Sequence, residues 1–293
     1  MKIMLFGSTG QIGSNLKKFL TMIGKVKVCT RNNCDFRNLD QIKKVIIEYS
    51  PNIIVNAAAY TDVERSEIEQ ATAGMINVQA VKTIANTAQF IKALLVMYSS
   101  DYVFDGRKDS PYVEDDKPNP LSFYGLTKFR GEEIIKNSGC NYLIFRTSWV
   151  YGNIYYGENF VNKIIKLAQY NSTLSIVHDQ VGAPTSAEFI AYTTAQCLKK
   201  VLYYGFNTGI YHLTSDGYVS WYDFAKYILM YLQTKGTKFL LTPENIVPID
   251  SQDYKSVITR PKNSVLDTNL IKKTFNVSIS SWQEQINQIL SIN

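Results

Sequence analysis

The sequence predicts an α/β protein: a doubly wound parallel sheet with helices on both faces, joined to a smaller α/β domain. Three features predict it. In the first half, short apolar runs alternate with amphipathic stretches, as when each strand of a parallel sheet is followed by a covering helix. The first of those runs passes directly into a glycine-rich turn and a helix. Beyond residue 150 the alternation lapses, and short motifs rich in tyrosine are separated by loops, which marks a second domain. The expected division is a first domain over 1–150 with a returning segment at about 172–205, and a second over 151–171 and 206–293.

Each element follows from its pattern. Lys2–Phe6 is a strand because Ile3, Met4, Leu5 and Phe6 form an unbroken apolar run up to Gly7. Gln11–Leu20 is a helix, with Ile12, Leu16 and Phe19 or Leu20 on one side. Residues 26–30 make a second strand. Leu39–Tyr49 is a helix whose Ile42, Val45, Ile46 and Tyr49 share a face and which stops at Ser50-Pro51. A third strand is expected at 53–57, a continuous helix over about 67–90 and a fourth strand at 93–99. Pro111, Pro118 and Pro120 make 105–120 a polar loop, followed by a helix at 124–136 and a strand at 142–146. In the second half, 159–170 and 221–232 read as helices and Leu174–Val177 as a strand.

Composition narrows the function classes. Hydrophobic residues at 45% and charged ones at 19% are ordinary for a soluble globular chain. No run of eighteen or more apolar residues suggests a membrane helix, and the N-terminal apolar stretch is too short for a signal-peptide core, so the cytoplasm is the expected location. The net charge of +6 comes from scattered lysines without a basic patch or recognised module, so nucleic-acid binding is not expected, whereas phosphate-bearing ligands suit it. Cys29, Cys34, Cys140 and Cys197 have no metal-type spacing and read as buried thiols. With only His178 and His212, neither a metal site nor a Ser-His-Asp triad is expected.

The stretch Gly7-Ser8-Thr9-Gly10-Gln11-Ile12-Gly13 lies between the first strand and the first helix. Its glycines permit a tight turn, close approach of pyrophosphate and close packing of helix on strand, and the helix N-terminus offers free N–H groups. This is the setting of a dinucleotide site on a Rossmann-type sheet, although the spacing is GxxGxxG. At the end of the second strand an acid would select NAD; here Val28-Cys29-Thr30 ends in Arg31, a cation suited to the 2′-phosphate of NADP. NADPH is therefore favoured, with NADH and a purely surface role for Arg31 left open. Asp35-Phe36 is placed to lie on the adenine.

Tyr124-Gly125-Leu126-Thr127-Lys128 puts a phenol and an ammonium on one helix face. A phenol of ordinary pKa about 10 needs such a cation to exchange a proton near neutrality. The spacing alone means little: 20 tyrosines make chance copies common, and Tyr222–Lys226 is one. Tyr124 differs by following Ser100, which closes the fourth strand at the edge where a parallel sheet presents ligand-contacting residues. Ser100, Tyr124 and Lys128 are the expected catalytic groups for reduction of a carbonyl.

With those residues in place the chain resembles the extended short-chain dehydrogenase/reductases, and within them the dTDP-4-dehydrorhamnose reductases, over nearly its whole length. The more specific strings are Arg146-Thr147-Ser148-Trp149-Val150-Tyr151 and Asp179-Gln180-Val181-Gly182-Ala183-Pro184-Thr185, with Asn159-Phe160 and Arg260-Pro261. The resemblance implies NADPH-dependent reduction of the C4 carbonyl of a dTDP-4-dehydro-6-deoxy-L-sugar to dTDP-L-rhamnose, a step in cell-surface polysaccharide synthesis. It implies that Gly10, Gln11 and Ile12 meet the cofactor phosphates, Asp35 and Phe36 the adenosine, and Ala59, Tyr60, Thr61 and Tyr98 the remainder. It also implies that Ser100, Asp101 and Trp149 meet the deoxyhexose, that Asn159 and Arg260 hold the diphosphate, and that 151–171 with 206–293 bind the substrate. Some members dimerise through magnesium held by glutamates. Glu188 matches one such position, but Asn15 stands at another, so magnesium is in doubt and both monomer and homodimer stay open. Competing readings are an epimerase or a 6-deoxy-talose-forming reductase, or a non-catalytic NADP-binding subunit like the β-subunit of methionine adenosyltransferase.

Overall fold

The structure, a computed structural model, describes residues 1–152, 159–205 and 208–291. Thirteen strands run in chain order among the described residues. The first five are β1 (Lys2–Phe6), β2 (Lys25–Cys29), β3 (Ile53–Asn56), β4 (Leu94–Ser100) and β5 (Tyr142–Thr147). Next come β6 (Val150–Tyr151), β7 (Leu174–Val177), β8 (Val181–Gly182) and β9 (Thr185–Ser186). The last are β10 (Gly209–His212), β11 (Val219–Ser220), β12 (Ile246–Ile249) and β13 (Asn263–Ser264). The helices are α1 (Gln11–Leu20), α2 (Leu39–Tyr49), α3 (Val63–Ile68), α4 (Gln70–Gly74), α5 (Ala80–Phe90) and α6 (Phe123–Lys136). They continue with α7 (Phe160–Tyr170), α8 (Ala187–Tyr204), α9 (Trp221–Thr234), α10 (Asn269–Phe275) and α11 (Trp282–Leu290).

The predicted fold class is observed. A six-stranded sheet has the order β10-β5-β4-β3-β1-β2, and every pairing in it is parallel. Successive side chains of each strand face opposite sides, so Ile3 and Leu5 pack with Leu16 of α1 and Ile190 of α8, while Met4 packs with Ile42 of α2 and Ile84 of α5. The chain runs from β1 out to β2 and then returns past β1 to β3. That reversal opens a crevice at the carboxyl ends of β1 and β3, where a doubly wound sheet binds its ligand.

A separate core gathers Val161 and Ile164 of α7, Phe224 and Ile228 of α9, and Ile286 of α11. The division of the chain between cores is more interleaved than expected. Within the segment 172–205, α8 packs on α1, but β7 pairs with β12 and buries Ile176 in the second core. Conversely β10, expected in the second domain, extends the main sheet beside β5, and α10 packs behind it. Residues 153–158, 206–207 and 292–293 of the expected second domain lie outside the described residues.

The expected helix over 67–90 is broken into α3, α4, a π turn at Met75–Gln79 and α5. The break between α3 and α4 falls at Glu69, whose backbone leaves the helical region (φ -93°, ψ 43°), and the π turn carries Asn77. Asn77 is buried there, and its side chain satisfies backbone outside the helix.

Candidate active site

The glycine loop closes tightly on β3. Gly7 has φ +76°, and a Cβ there would lie 2.4 Å from the Ala58 nitrogen; at Gly13 it would lie 2.0 Å from the Gly7 oxygen. Neither position admits a side chain. At Gly10 a Cβ would meet only the Gly7 oxygen at 3.5 Å, so the space beside the start of α1 is open. That helix begins without a side-chain cap and without an acid in its first turn, leaving its N–H groups for an anion. Gln11 Oε1 is buried with no hydrogen-bond partner among the described residues. The loop therefore fits the pyrophosphate of a dinucleotide.

Arg31 is exposed beyond β2. Asp35 is gripped by Arg37, with Nη2 2.6 Å from Oδ2 and Nε 3.1 Å from Oδ1, which holds its carboxyl down at about 2. Phe36, expected against adenosine, turns its ring into the sheet's core, edge-on to Phe6 at 5.4 Å. Beyond the end of β3, Tyr60, between Ala59 and Thr61, is held through its backbone by Asn77. Its amide accepts from Tyr60 N at 2.8 Å and donates to Tyr60 O at 3.0 Å and to Thr127 Oγ1 at 3.0 Å. Asn77 thereby ties the segment after β3 to α6 at Thr127, directly before Lys128, and no residue pattern in the sequence marked it.

Ser100 ends β4 and meets Tyr124 across the start of α6. Ser122 caps that helix by accepting from Gly125 N at 3.1 Å. A Cβ on Gly125 would fall 2.1 Å from the Tyr102 oxygen, so glycine after Tyr124 lets the helix press against the turn that follows β4. The Ser100 hydroxyl comes within hydrogen-bond reach of the Tyr124 phenol, and burial pushes that phenol above the ordinary tyrosine range. Lys128 is buried and donates to the Tyr98 carbonyl at 2.6 Å; burial pulls its ammonium down to about 8. Tyr98 thus offers its backbone here, while its ring lies in the core with its hydroxyl 2.9 Å from Thr194 Oγ1. Asp101, expected against the sugar, turns its buried carboxyl to Ser100, whose hydroxyl donates to Oδ1 at 2.9 Å.

One turn beyond Lys128, Glu132 forms a bidentate pair with Arg146 of β5, at 3.0 Å and 2.7 Å, with both side chains buried. This pair clamps α6 to the sheet. The i, i+4, i+8 ladder Tyr124, Lys128, Glu132 is a sequence signal for it. His212 lies beside Arg146, and burial and that guanidinium pull it down to about 3.

Trp149 follows β5 with φ +46°, a conformation costing about 1–2 kcal/mol in a residue with a side chain. Its indole is sandwiched: Trp221 stacks on it with ring centroids 3.4 Å apart and planes at 7°, and a Cβ on Gly182 would strike it at 2.5 Å. Asn159 caps α7, with Nδ2 buried and unpartnered among the described residues. Arg260 donates to the Tyr102 hydroxyl at 3.0 Å and pairs with Glu64 at 2.9 Å. It lines the edge of a cleft of about 1170 Å³ between the 105–111 loop and residues 250–263. Tyr102 in turn packs edge-on to Tyr124 at 5.7 Å, which links that cleft to the catalytic groups.

The RmlD substrate binding domain family matches residues 1–293. The dTDP-4-dehydrorhamnose reductase of Salmonella typhimurium is 37% identical over 295 residues, covering 99% of this chain and 97% of that protein. The chain belongs to this reductase family. Among solved structures, the dTDP-4-dehydrorhamnose reductase ortholog of Clostridium acetobutylicum superposes with a TM-score of 0.90 at 33% identity, covering 100% of this chain and 99% of that one. The Bacillus anthracis dTDP-4-dehydrorhamnose reductase, in complex with NADP, superposes at 0.88 with 31% identity and 98% coverage of each chain.

The two positions that bear on the magnesium expectation carry one paired glutamate and one amide. Glu188 is engaged by Lys18 at 3.1 Å, and the Asn15 amide donates to the Gln11 carbonyl at 2.9 Å. Among the described residues no group of three or more His, Cys, Asp or Glu is placed to hold a metal. No helix among them is long and apolar enough to cross a membrane.

Proposed function

We propose that this chain uses NADPH to reduce the C4 carbonyl of dTDP-4-dehydro-6-deoxy-L-mannose, giving dTDP-L-rhamnose. The observation that carries this reading is the meeting of Ser100, Tyr124 and Lys128 at the carboxyl edge of β4, beside the open glycine cradle. Bound there, the reduced nicotinamide supplies the hydride. Gly10, Gln11 and Ile12 take its phosphates at the start of α1, and Ala59, Tyr60 and Thr61 border its path along β3. Arg31 favours a 2′-phosphate, and because Arg37 already occupies Asp35, that carboxylate is not free to take up a 2′-hydroxyl instead.

The Tyr124 phenol gives its proton to the sugar O4. Burial makes that phenol a weak acid and the Ser100 hydrogen bond opposes this; the role given to Lys128 is to favour, as an ammonium, the phenolate that proton loss leaves behind. Ser100 hydrogen-bonds the reacting oxygen, where negative charge develops. Trp149, pinned flat by Trp221 and Gly182, offers the deoxyhexose an apolar face, and Asn159 and Arg260 take the diphosphate.

The test supplies the purified chain with the keto sugar and follows loss of reduced-nicotinamide absorbance. Turnover with NADPH, and slower turnover with NADH, is expected. Absence of turnover with both cofactors overturns the reading.

A further inference from the structure

We infer that Asp101 is a positioning residue acting through Ser100: the carboxyl behind that hydroxyl sets whether Ser100 accepts a hydrogen bond or donates one to the reacting oxygen. The inference rests on the reductase reading and goes beyond it by assigning the polarity of the hydrogen-bond chain.

A serine hydroxyl has one proton to give. Here Ser100 Oγ donates to Asp101 Oδ1 at 2.9 Å and accepts from Tyr102 N at 3.2 Å. With its proton committed to a carboxylate, Ser100 offers Tyr124 and the substrate only lone pairs. That polarity is wrong for carbonyl reduction, because the oxygen on C4 becomes more negative as hydride arrives and calls for donors. A proton on Asp101 reverses the chain. The carboxylic acid then donates to Ser100, and the serine proton turns toward Tyr124 and the carbonyl. Tyr124 remains the source of the proton that ends on O4; Asp101 keeps its own.

The surroundings make the protonated form more accessible than it is for an exposed aspartate. Asp101 is 3% exposed, and its Oδ2 makes no hydrogen bond of good geometry among the described residues. The groups facing the carboxyl are hydroxyls: Ser100 on β4, Ser148 after β5 and Ser264 on β13. The nearby titratable groups are the phenols of Tyr124 on α6 and Tyr102 on its own turn. No cation among the described residues pairs with it directly. Arg260 stops at the Tyr102 hydroxyl and Glu64, and Lys128 is committed to the Tyr98 carbonyl. A buried carboxylate without a counterion is disfavoured, and burial pushes Asp101 up to about 6, with the serine hydroxyls opposing.

The experiment compares wild type with Asp101→Asn, which keeps the shape and holds an N–H donor toward Ser100 at every pH. Wild-type kcat is expected to fall as pH rises through about 6, before a separate fall near 8 from Lys128. Asp101→Asn should lose the first limb and keep the second, with KM for the sugar changed less than about twofold. In a Ser100→Ala background the same substitution should leave the pH profile unchanged. An unaltered limb near 6 in Asp101→Asn, an effect that persists without Ser100, or a loss of about 100-fold at every pH overturns the inference. A second readout needs no turnover. In ligand-free protein with carbon-13 at the tyrosine ring, the Tyr124 signal should move as pH crosses about 6 in wild type and stay put in Asp101→Asn. If the keto sugar is not reduced at all while this signal behaves as stated, the reductase reading fails and the coupling stands; a Tyr124 signal blind to Asp101 overturns the coupling itself.

Discussion

Tyr124 and Lys128 on α6 and Tyr222 and Lys226 on α9 share one spacing, and the two helices use it differently. On α9 the pair closes on itself: Lys226 donates to the Tyr222 hydroxyl at 3.3 Å and lies 5.2 Å from its ring, with both side chains partly exposed. On α6 the pair is held apart. Lys128 is buried against the Tyr98 carbonyl, Tyr124 faces Ser100, and no hydrogen bond joins the two among the described residues. A phenol and an ammonium that satisfy each other have nothing left for a ligand, whereas a pair whose members are each anchored elsewhere keeps the gap between them for one.

The most forceful way to break this contrast is to delete each phenol. Tyr124→Phe should lower kcat by about 10³-fold while NADPH still binds, because it removes the general acid, and Tyr222→Phe should change kcat by less than about twofold. Turnover assays on the two variants, with cofactor binding checked by fluorescence, decide it; equal effects would erase the distinction. The anchor behind α6 comes next. Arg146→Met leaves Glu132 buried without its partner and should cost about 3–5 kcal/mol of stability, read from denaturant midpoints, whereas Lys226→Met on α9 should stay within about 0.5 kcal/mol.

A milder probe is pH. The Lys128 ammonium is present below about 8 and lost above it, so kcat should fall about tenfold per unit on the alkaline side. Lys226→Met should leave that limb in place, and its loss in this variant would mean the wrong lysine has been assigned. The smallest expected effect is at the cofactor's far end. Arg31→Ala should raise KM for NADPH by about tenfold, a loss of about 1.4 kcal/mol, and leave KM for NADH within about twofold.

The contrast also separates what was readable in the chain from what was not. The glycine cradle was readable because backbone sterics act locally: Gly7 and Gly13 are required by atoms only a few residues away or on the neighbouring strand. Placing Ser100 at the end of a strand was equally local. Asn77 was hidden because a polar residue inside a run of helical pattern carries no mark of the two distant groups it satisfies. Phe36 was assigned to the cofactor from its place after the second strand as well as by resemblance, and Tyr98 by resemblance, yet both rings pack in the sheet's core, since an aromatic beside a binding loop looks the same whichever way its side chain turns.

The sequence by itself determined the alternation of strands and helices, the bare start of α1 and the side-by-side placement of Tyr124 and Lys128, because helical and extended periodicities and missing side chains act over a few residues. Only the tertiary structure decided that β10 joins the sheet, that Arg146 clamps Glu132, that Trp221 pins Trp149, and that Asp101 stands behind Ser100. The first three join residues far apart in the chain. The last joins sequence neighbours, yet whether a carboxyl next to a serine faces water or a dry pocket of hydroxyls depends on what the rest of the chain packs around it. In that dry surrounding the same neighbouring carboxyl is free to be an acid.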